Sequence, residues 1–374
     1  MTASARLLLR RRRLLVGSCA LWATPLGCDD ADALDTELWA SAQGGEDGSY
    51  ALVVAGPGGV HSRFASAVRG HGLATHPDAP HRVVMFGRRP QRVAMVADLR
   101  TGQARQIETP AGRHQVGHGC FSADGRRLMI AEADDVTGEG TIAVHDAASL
   151  ERVAEFDSFG VGPHQIALMP SGDTLVVANG GLITAPGGRD PINLDTMQSS
   201  LVYINVDAGT LRSEHRVPEA KASLRHLDVA DDGTVVVVMQ VQRDALPDAD
   251  PRPLIAVHAP GGELTVLDEG LDVATAMEDY AGSVAVDSAS RVAAVTSPRG
   301  NVVAFWHLDT GRLEWVERFD DVSGVAVAPD GSSFVLSGSG GQLRRVDTVT
   351  LAELPDARVQ FPDVRWDNHL LTLF

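Results

Sequence analysis

Short runs of alternating apolar and polar positions, closed by turns built on Asp, Gly or Pro, recur along this chain. The alternation has a period of two and is rich in valine, which predicts strands, each with one face buried. One pattern appears six times: an opening residue, an apolar run and a turn. The copies are HGLATHPDA from His71, HGCFSADG from His118, HQIALMPSG from His164, HLDVADDG from His226, SVAVDSAS from Ser283 and GVAVAPDG from Gly324. Each leads into a second strand, as in RLMIAEA from Arg127 and TLVVANG from Thr174. Several continue into a third strand that ends in an Asp turn, as in AMVADLRTG and IAVHDAASL.

The opening residues are 47, 46, 62, 57 and 41 positions apart. That spacing fits the forty-odd residues of a four-stranded propeller blade, with two copies enlarged by insertions. The expected fold is therefore all-β, a seven-bladed β-propeller. Its seventh blade must come from the two ends of the chain: RWDNHLLTLF near the C-terminus pairs with SYALVVAGP from Ser49 and closes the ring. Closure removes the open sheet edges that would otherwise template aggregation. A sandwich with recurring hairpin turns is the competing architecture.

Composition narrows the picture. With 44% hydrophobic and 22% charged residues, 374 positions can bury one large core. A net charge of −17 repels a phosphate backbone, and no basic cluster lies beyond the first thirteen residues, so nucleic acid is excluded as a partner. The expected domain organisation is an export signal at 1–28, an acidic flexible segment at 29–48 and the propeller at 49–374. Arg10 to Arg13, followed by the apolar stretch Leu14 to Leu26, has the layout of an export signal and is too short for a bilayer span. RRRLL is similar to a twin-arginine motif. Gly27-Cys28 is a candidate lipoprotein cleavage site, although Pro25 is atypical there, so the only membrane link expected is a lipid anchor at Cys28. The expected location is the periplasm and the expected state a monomer.

Four of the six copies open with histidine: His71, His118, His164 and His226. Equivalent blade positions lie at one height around the axis, so these imidazoles should converge at a mouth of the channel, where they can ligate a metal or bind an anionic or haem-like ligand. Shared structural histidines at each blade start would give the same periodicity. Arg225, Asn179, Arg189, Asn193 and Arg299 are candidate ligand-binding residues in neighbouring strand ends and loops. The insertion from Gly180 to Ser200 is either a lid over the channel or a surface loop. Tyr280 in the fifth blade and Trp366 in the seventh read as packing rings, with His369 beside Trp366 in WDNH. Cys120 reads as a small core residue rather than a nucleophile. No nucleophile elbow, HExxH, Walker loop, CxxC or haem-attachment motif occurs.

GHGCFSADGRRLMIAEAD, the long stretch GVGPHQIALMPSGDTLVVANGGLITAPGGRDPINLDTMQSSLVYIN, LRHLDVADDG, YAGSVAVDS, TSPRGNVVAFW and WDNHLL together resemble the bacterial DUF1513 family. The resemblance covers nearly the whole chain after the leader. It implies a twin-arginine-exported seven-bladed propeller and, through genes for periplasmic iron-uptake proteins neighbouring such members, iron or haem as cofactor or cargo. GPHQIALMPSGDTLVVAN also resembles the blade repeat of lactonase-type propellers, which would give His164, Arg225 and His226 a hydrolytic role. Three readings follow: a propeller binding a small ligand or metal in an accessory role in iron acquisition, a scaffold for other exported proteins, and a lactonase-like hydrolase. The first is preferred, and catalysis is left open.

Overall fold

The alternating segments form seven four-stranded antiparallel sheets in a computed structural model that describes residues 37–45, 48–185, 187–188, 190–267 and 271–374. The innermost strands of six blades are Gly70–His76, Arg113–Phe121, Pro163–Leu168, Ala222–Val229, Ser283–Asp287 and Val322–Val327. Each packs against the next, and the circle closes through Leu371–Leu373 and Leu38–Gly44. The expected seven-bladed propeller is the fold. Helix is nearly absent: one short α-helix, Leu271–Ala276, sits among the described residues, and none there is long and apolar enough to cross a membrane.

Local chemistry explains the repeated turns. Asp98, Asp146 and Asp347 end third strands, and each carboxylate oxygen accepts the backbone N–H groups two and three residues on. Asn205 does the same through its amide oxygen. An Asx turn satisfies donors that the strand has stopped pairing. Buried valines, leucines and alanines of facing sheets fill the space between neighbouring blades, as where Val177 and Ile204 meet Ile142 and Ala131.

The closing blade differs from the sequence expectation in one strand. Its order is Leu371–Leu373, Leu38–Gly44, Tyr50–Gly56, Gly59–Ser66. The C-terminal strand therefore pairs with Leu38–Gly44, with Leu38 opposite Leu373, and the segment from Ser49 lies one strand further out. The propeller begins at the strand Leu38–Gly44 rather than at 49, so the acidic flexible segment assigned to 29–48 is corrected at its C-terminal end. Acidic composition upstream hid a short strand, LWASAQG, whose residues are almost all buried. The export signal and the lipidation site expected at 1–28 fall outside the described residues.

Aromatic packing locks this closure. Trp39 is 2% exposed, meets the Phe361 ring edge-on at 6.2 Å and donates its Nε1–H to Glu37. Phe361 in turn meets Trp366 at 5.5 Å, the packing role expected of that tryptophan. Trp39→Ala is expected to lower unfolding stability by about 3 kcal/mol or more, because the cavity forms at the seam joining the two chain ends. Urea unfolding followed by fluorescence measures it; an unchanged midpoint would show that the seam does not hold the ring.

Candidate functional site

The opening histidines of four copies, His71, His118, His164 and His226, meet at the axis together with His369, and the Ser283 hydroxyl lies 3.3 Å from the His369 Nδ1. Four of these histidines were expected. His369, placed in the seventh blade by sequence but left out of the site, stands just ahead of Leu371–Leu373 and is the equivalent residue of the closing blade. The cluster is compact. Ring centroids of His369 lie 4.6, 4.8 and 4.4 Å from those of His71, His118 and His226. One ring nitrogen from each of His71, His118, His226 and His369 lies within 4.8 Å of the others.

Glycines let the rings come this close. A Cβ on Gly72 would lie 2.5 Å from the His118 Nδ1, and one on Gly117, at φ +109°, would lie 2.5 Å from the His71 ring. The His-Gly and Gly-His pairs in the sequence are therefore one packing device, with each glycine leaving room for the neighbouring blade's imidazole.

Hydrogen bonding separates four donors from the fifth histidine. His226 Nδ1 faces the Gln165 Oε1 at 3.1 Å, and Gln165 is itself fixed by donating Nε2–H to the Leu227 carbonyl at 2.7 Å. A carbonyl-type oxygen accepts, so Nδ1 carries the proton and Nε2 keeps a lone pair. His71 Nδ1, His118 Nε2 and His369 Nε2 are buried with no hydrogen-bond partner. His164 differs. Its Nδ1 accepts from an Arg225 guanidinium N–H at 3.3 Å, so that lone pair is already committed. Arg225 is held in turn by donating to the Gln240 Oε1 at 2.6 Å. The metal-capable set is thus His71, His118, His226 and His369, with His369 standing where sequence had placed His164.

Electrostatics keeps the set neutral. Burial is the main cause that holds His71, His118 and His226 well below the ordinary imidazole value, with neighbouring histidines adding to it. His164 is lowered in the same way, by burial first and then by Arg225. His369 is brought down to about 4, again chiefly by burial, while Asp367 opposes the shift. Neutral imidazole is the metal-binding form.

A cavity of about 320 Å³ extends from the cluster down the channel and is lined by His118, His369, Gln165, Ser283 and Asp228 among others. Asp228 accepts the backbone N–H of Val229 at 2.9 Å and of Val286 at 2.8 Å, tying the fourth blade to the fifth, and burial pushes its carboxyl up to about 6. Sequence offered no signal for Asp228 beyond its place two residues after His226, on the same side of a strand.

The remaining candidates are distributed differently. Asn179 is fully buried between the second and third blades, exchanging hydrogen bonds with Ser158. Asn193 braces the Gly180 to Ser200 insertion by bonding Ile183 N–H and the Gly181 carbonyl. Both are structural ties and leave the ligand-binding set. Arg299 stacks over Tyr280 at 4.7 Å, and the Tyr280 hydroxyl accepts from Asn368 Nδ2. Arg189 lies outside the described residues. Leu182, Ile183 and Thr184 of the insertion line a cleft beside His164, together with Arg89 and His114. Burial pushes the Cys120 thiol up to about 12, which leaves it protonated and no nucleophile.

The family model described as "Protein of unknown function (DUF1513)" matches residues 64–373, from the last strand of the closing blade round the circle to its first. The chain belongs to the DUF1513 family. The stretch matched in this DUF1513 propeller includes all five clustered histidines. Among solved structures, the hydrazine synthase of Kuenenia stuttgartiensis is similar: TM-score 0.63 and 17% identity over 83% of this chain and 95% of that one. At that identity the likeness shows the fold alone. No curated protein matches the chain.

Proposed function

We infer that this DUF1513 propeller holds a transition-metal ion on its axis, ligated by His71, His118, His226 and His369. The observation that carries this reading is the convergence of four neutral, buried imidazoles from four blades, with donor nitrogens within 4.8 Å of one another. Three of those side chains have a buried nitrogen without a partner, a costly state that a metal relieves. Tetrahedral bonds of ~2.1 Å would bring the nitrogens to about 3.4 Å apart, within reach of small ring rotations. All-imidazole ligation suits Zn²⁺, Cu²⁺ or Fe²⁺.

Ring separations of 4.4 to 5.8 Å within the quartet favour a bare ion over haem, because a porphyrin would have to force the imidazoles apart. Within that chemistry, Fe²⁺ and an accessory role in iron acquisition are the finer reading. The basic and apolar leader supports placing the work in the periplasm.

Untagged protein, stripped with a chelator and dialysed against each ion in turn, is expected to retain about one equivalent of at least one of the three by elemental analysis. Protein that comes through empty for all three sinks the reading.

A further inference from the structure

Every blade contributes to the wall of the channel cavity beyond the rings. The lining passes from Leu73 in the first blade through His118, Gln165 and Asp228 in the next three to Ser283, Val325 and Leu371 in the last three. Its volume of about 320 Å³ has room for roughly ten waters and stands at the lower end of the roughly 300–1,000 Å³ range of small-molecule pockets. The wall is mixed. Leucine, valine and alanine share it with a few polar side chains, and each innermost strand is the edge strand of its sheet, so backbone N–H and C=O groups lie along the channel as well. Some of these are claimed by neighbouring blades: Asp228 accepts the Val286 N–H, Gln165 donates to the Leu227 carbonyl and Thr372 donates to the Val327 carbonyl.

Two features of the lining bear on what the cavity takes. His118 and His369 both belong to it, so an ion held by the quartet has this cavity beside two of its ligands. Asp228 is the one carboxylate in the lining among the described residues, and no lysine or arginine accompanies it. Its two oxygens accept one backbone bond each, from Val229 and Val286, which leaves each oxygen a further acceptor site. Ser283 and Gln165 are already engaged, the hydroxyl with the His369 Nδ1 at 3.3 Å and the amide with His226 and Leu227.

These constraints select a ligand. Four imidazoles leave Zn²⁺, Cu²⁺ or Fe²⁺ able to accept a fifth donor, and nitrogen suits all three. The ion disfavours a cation and Asp228 disfavours an anion, whereas a neutral molecule with a lone pair at one end and an N–H at the other satisfies both. Asp228 stands two residues beyond His226 on the same side of its strand, roughly 7 Å along it. A metal–nitrogen bond of ~2.1 Å and an N–H···O bond of ~2.9 Å leave roughly 2 Å for the ligand itself, the breadth of an azole ring or an N–C–N unit.

We propose that the channel cavity is the binding site of a small neutral nitrogen base of the azole type, which joins the metal through its lone pair and donates its N–H to Asp228. The proposal rests on the metal reading, and the experiment separates the two. Full-length protein loaded with whichever of the three ions it retains, its metal content measured before and after, is titrated by calorimetry at pH 8 with neutral imidazole and with azide as a compact anion. About one equivalent of imidazole per ion is expected, bound in preference to azide. Asp228→Asn should keep the metal, since Asp228 is not in the quartet, and should lower the ratio of imidazole to azide affinity at least about ten-fold. Ala326→Leu, on the cavity wall, should weaken imidazole binding at least about ten-fold at unchanged metal content. Should Asp228→Asn fail to fold, Ala326→Leu still reports. Loaded parent that binds no imidazole, or that gives up its ion to imidazole, overturns the proposal and leaves the metal reading standing. So does Asp228→Asn with an unchanged ratio or Ala326→Leu with unchanged affinity. Protein that loads none of the three ions ends both.

Discussion

Replacing His118 and His369 together by alanine is expected to reduce metal retention from about one equivalent to near zero, while His164→Ala retains it. The contrast follows from lone pairs. His118 and His369 each have a buried, unpartnered Nε2 and belong with His71 and His226 to the set whose ring nitrogens lie within 4.8 Å of one another, and removing both leaves two donors, too few to replace the ion's hydration shell. The His164 Nδ1 lone pair is taken by Arg225, so its loss costs the site no donor. Elemental analysis of the three proteins, with thermal unfolding to confirm that each is folded, decides the matter. Equal metal content in the double variant and the parent would return the five histidines to a purely architectural role. So would selective loss in His164→Ala, as far as this quartet is concerned.

Acid should unfold the metal-free protein over a narrow range below neutrality. In the unfolded chain each histidine titrates near 6.5, whereas in the fold His71, His118, His164 and His226 are held well below that and His369 is near 4. Between those values the unfolded state takes up protons that the folded state refuses. Stability from these groups is therefore complete above about pH 6.5 and is lost as pH falls toward 4. His369 alone contributes about 3 kcal/mol across that interval. Asp228 works in the opposite sense: with its folded value raised to about 6, it destabilises the protein at neutral pH and recovers that loss as it protonates. One carboxyl opposes five imidazoles, so the histidines set the direction. Arg88, beside His71 and His369, and Arg225, beside His164 and His226, act in the same direction. Urea midpoints measured from pH 7.5 to 4.5 should fall steeply below 6.5, and bound metal should shift the fall to lower pH because protons and metal compete for the same nitrogens. A flat profile down to pH 4.5 would mean that the rings are not buried as a neutral cluster.

The architecture was legible because a propeller writes one supersecondary unit repeatedly. Six openings, each an apolar run followed by an Asp- or Gly-based turn, announced six blades, and four of them placed histidine at one height. The seventh blade was legible only in outline. Its inner strand is three residues long, its neighbour Leu38–Gly44 follows an acidic stretch, and the two lie at opposite ends of the chain, so no local pattern connects them.

Sequence by itself determined the strand period, the blade count and the four repeated histidines, because alternation and spacing are local properties of the chain. It also fixed the glycines beside His71 and His118, though not their purpose. Only the tertiary structure decided which imidazoles can act together. Ring closure carries His369 to the axis, and Arg225 withdraws the His164 lone pair. Gln165 sets the tautomer of His226 from the neighbouring blade. Burial among seven blades then keeps the rings neutral. Each of these depends on groups far apart in sequence meeting at one axis, where the direction of a lone pair and the loss of water decide the chemistry.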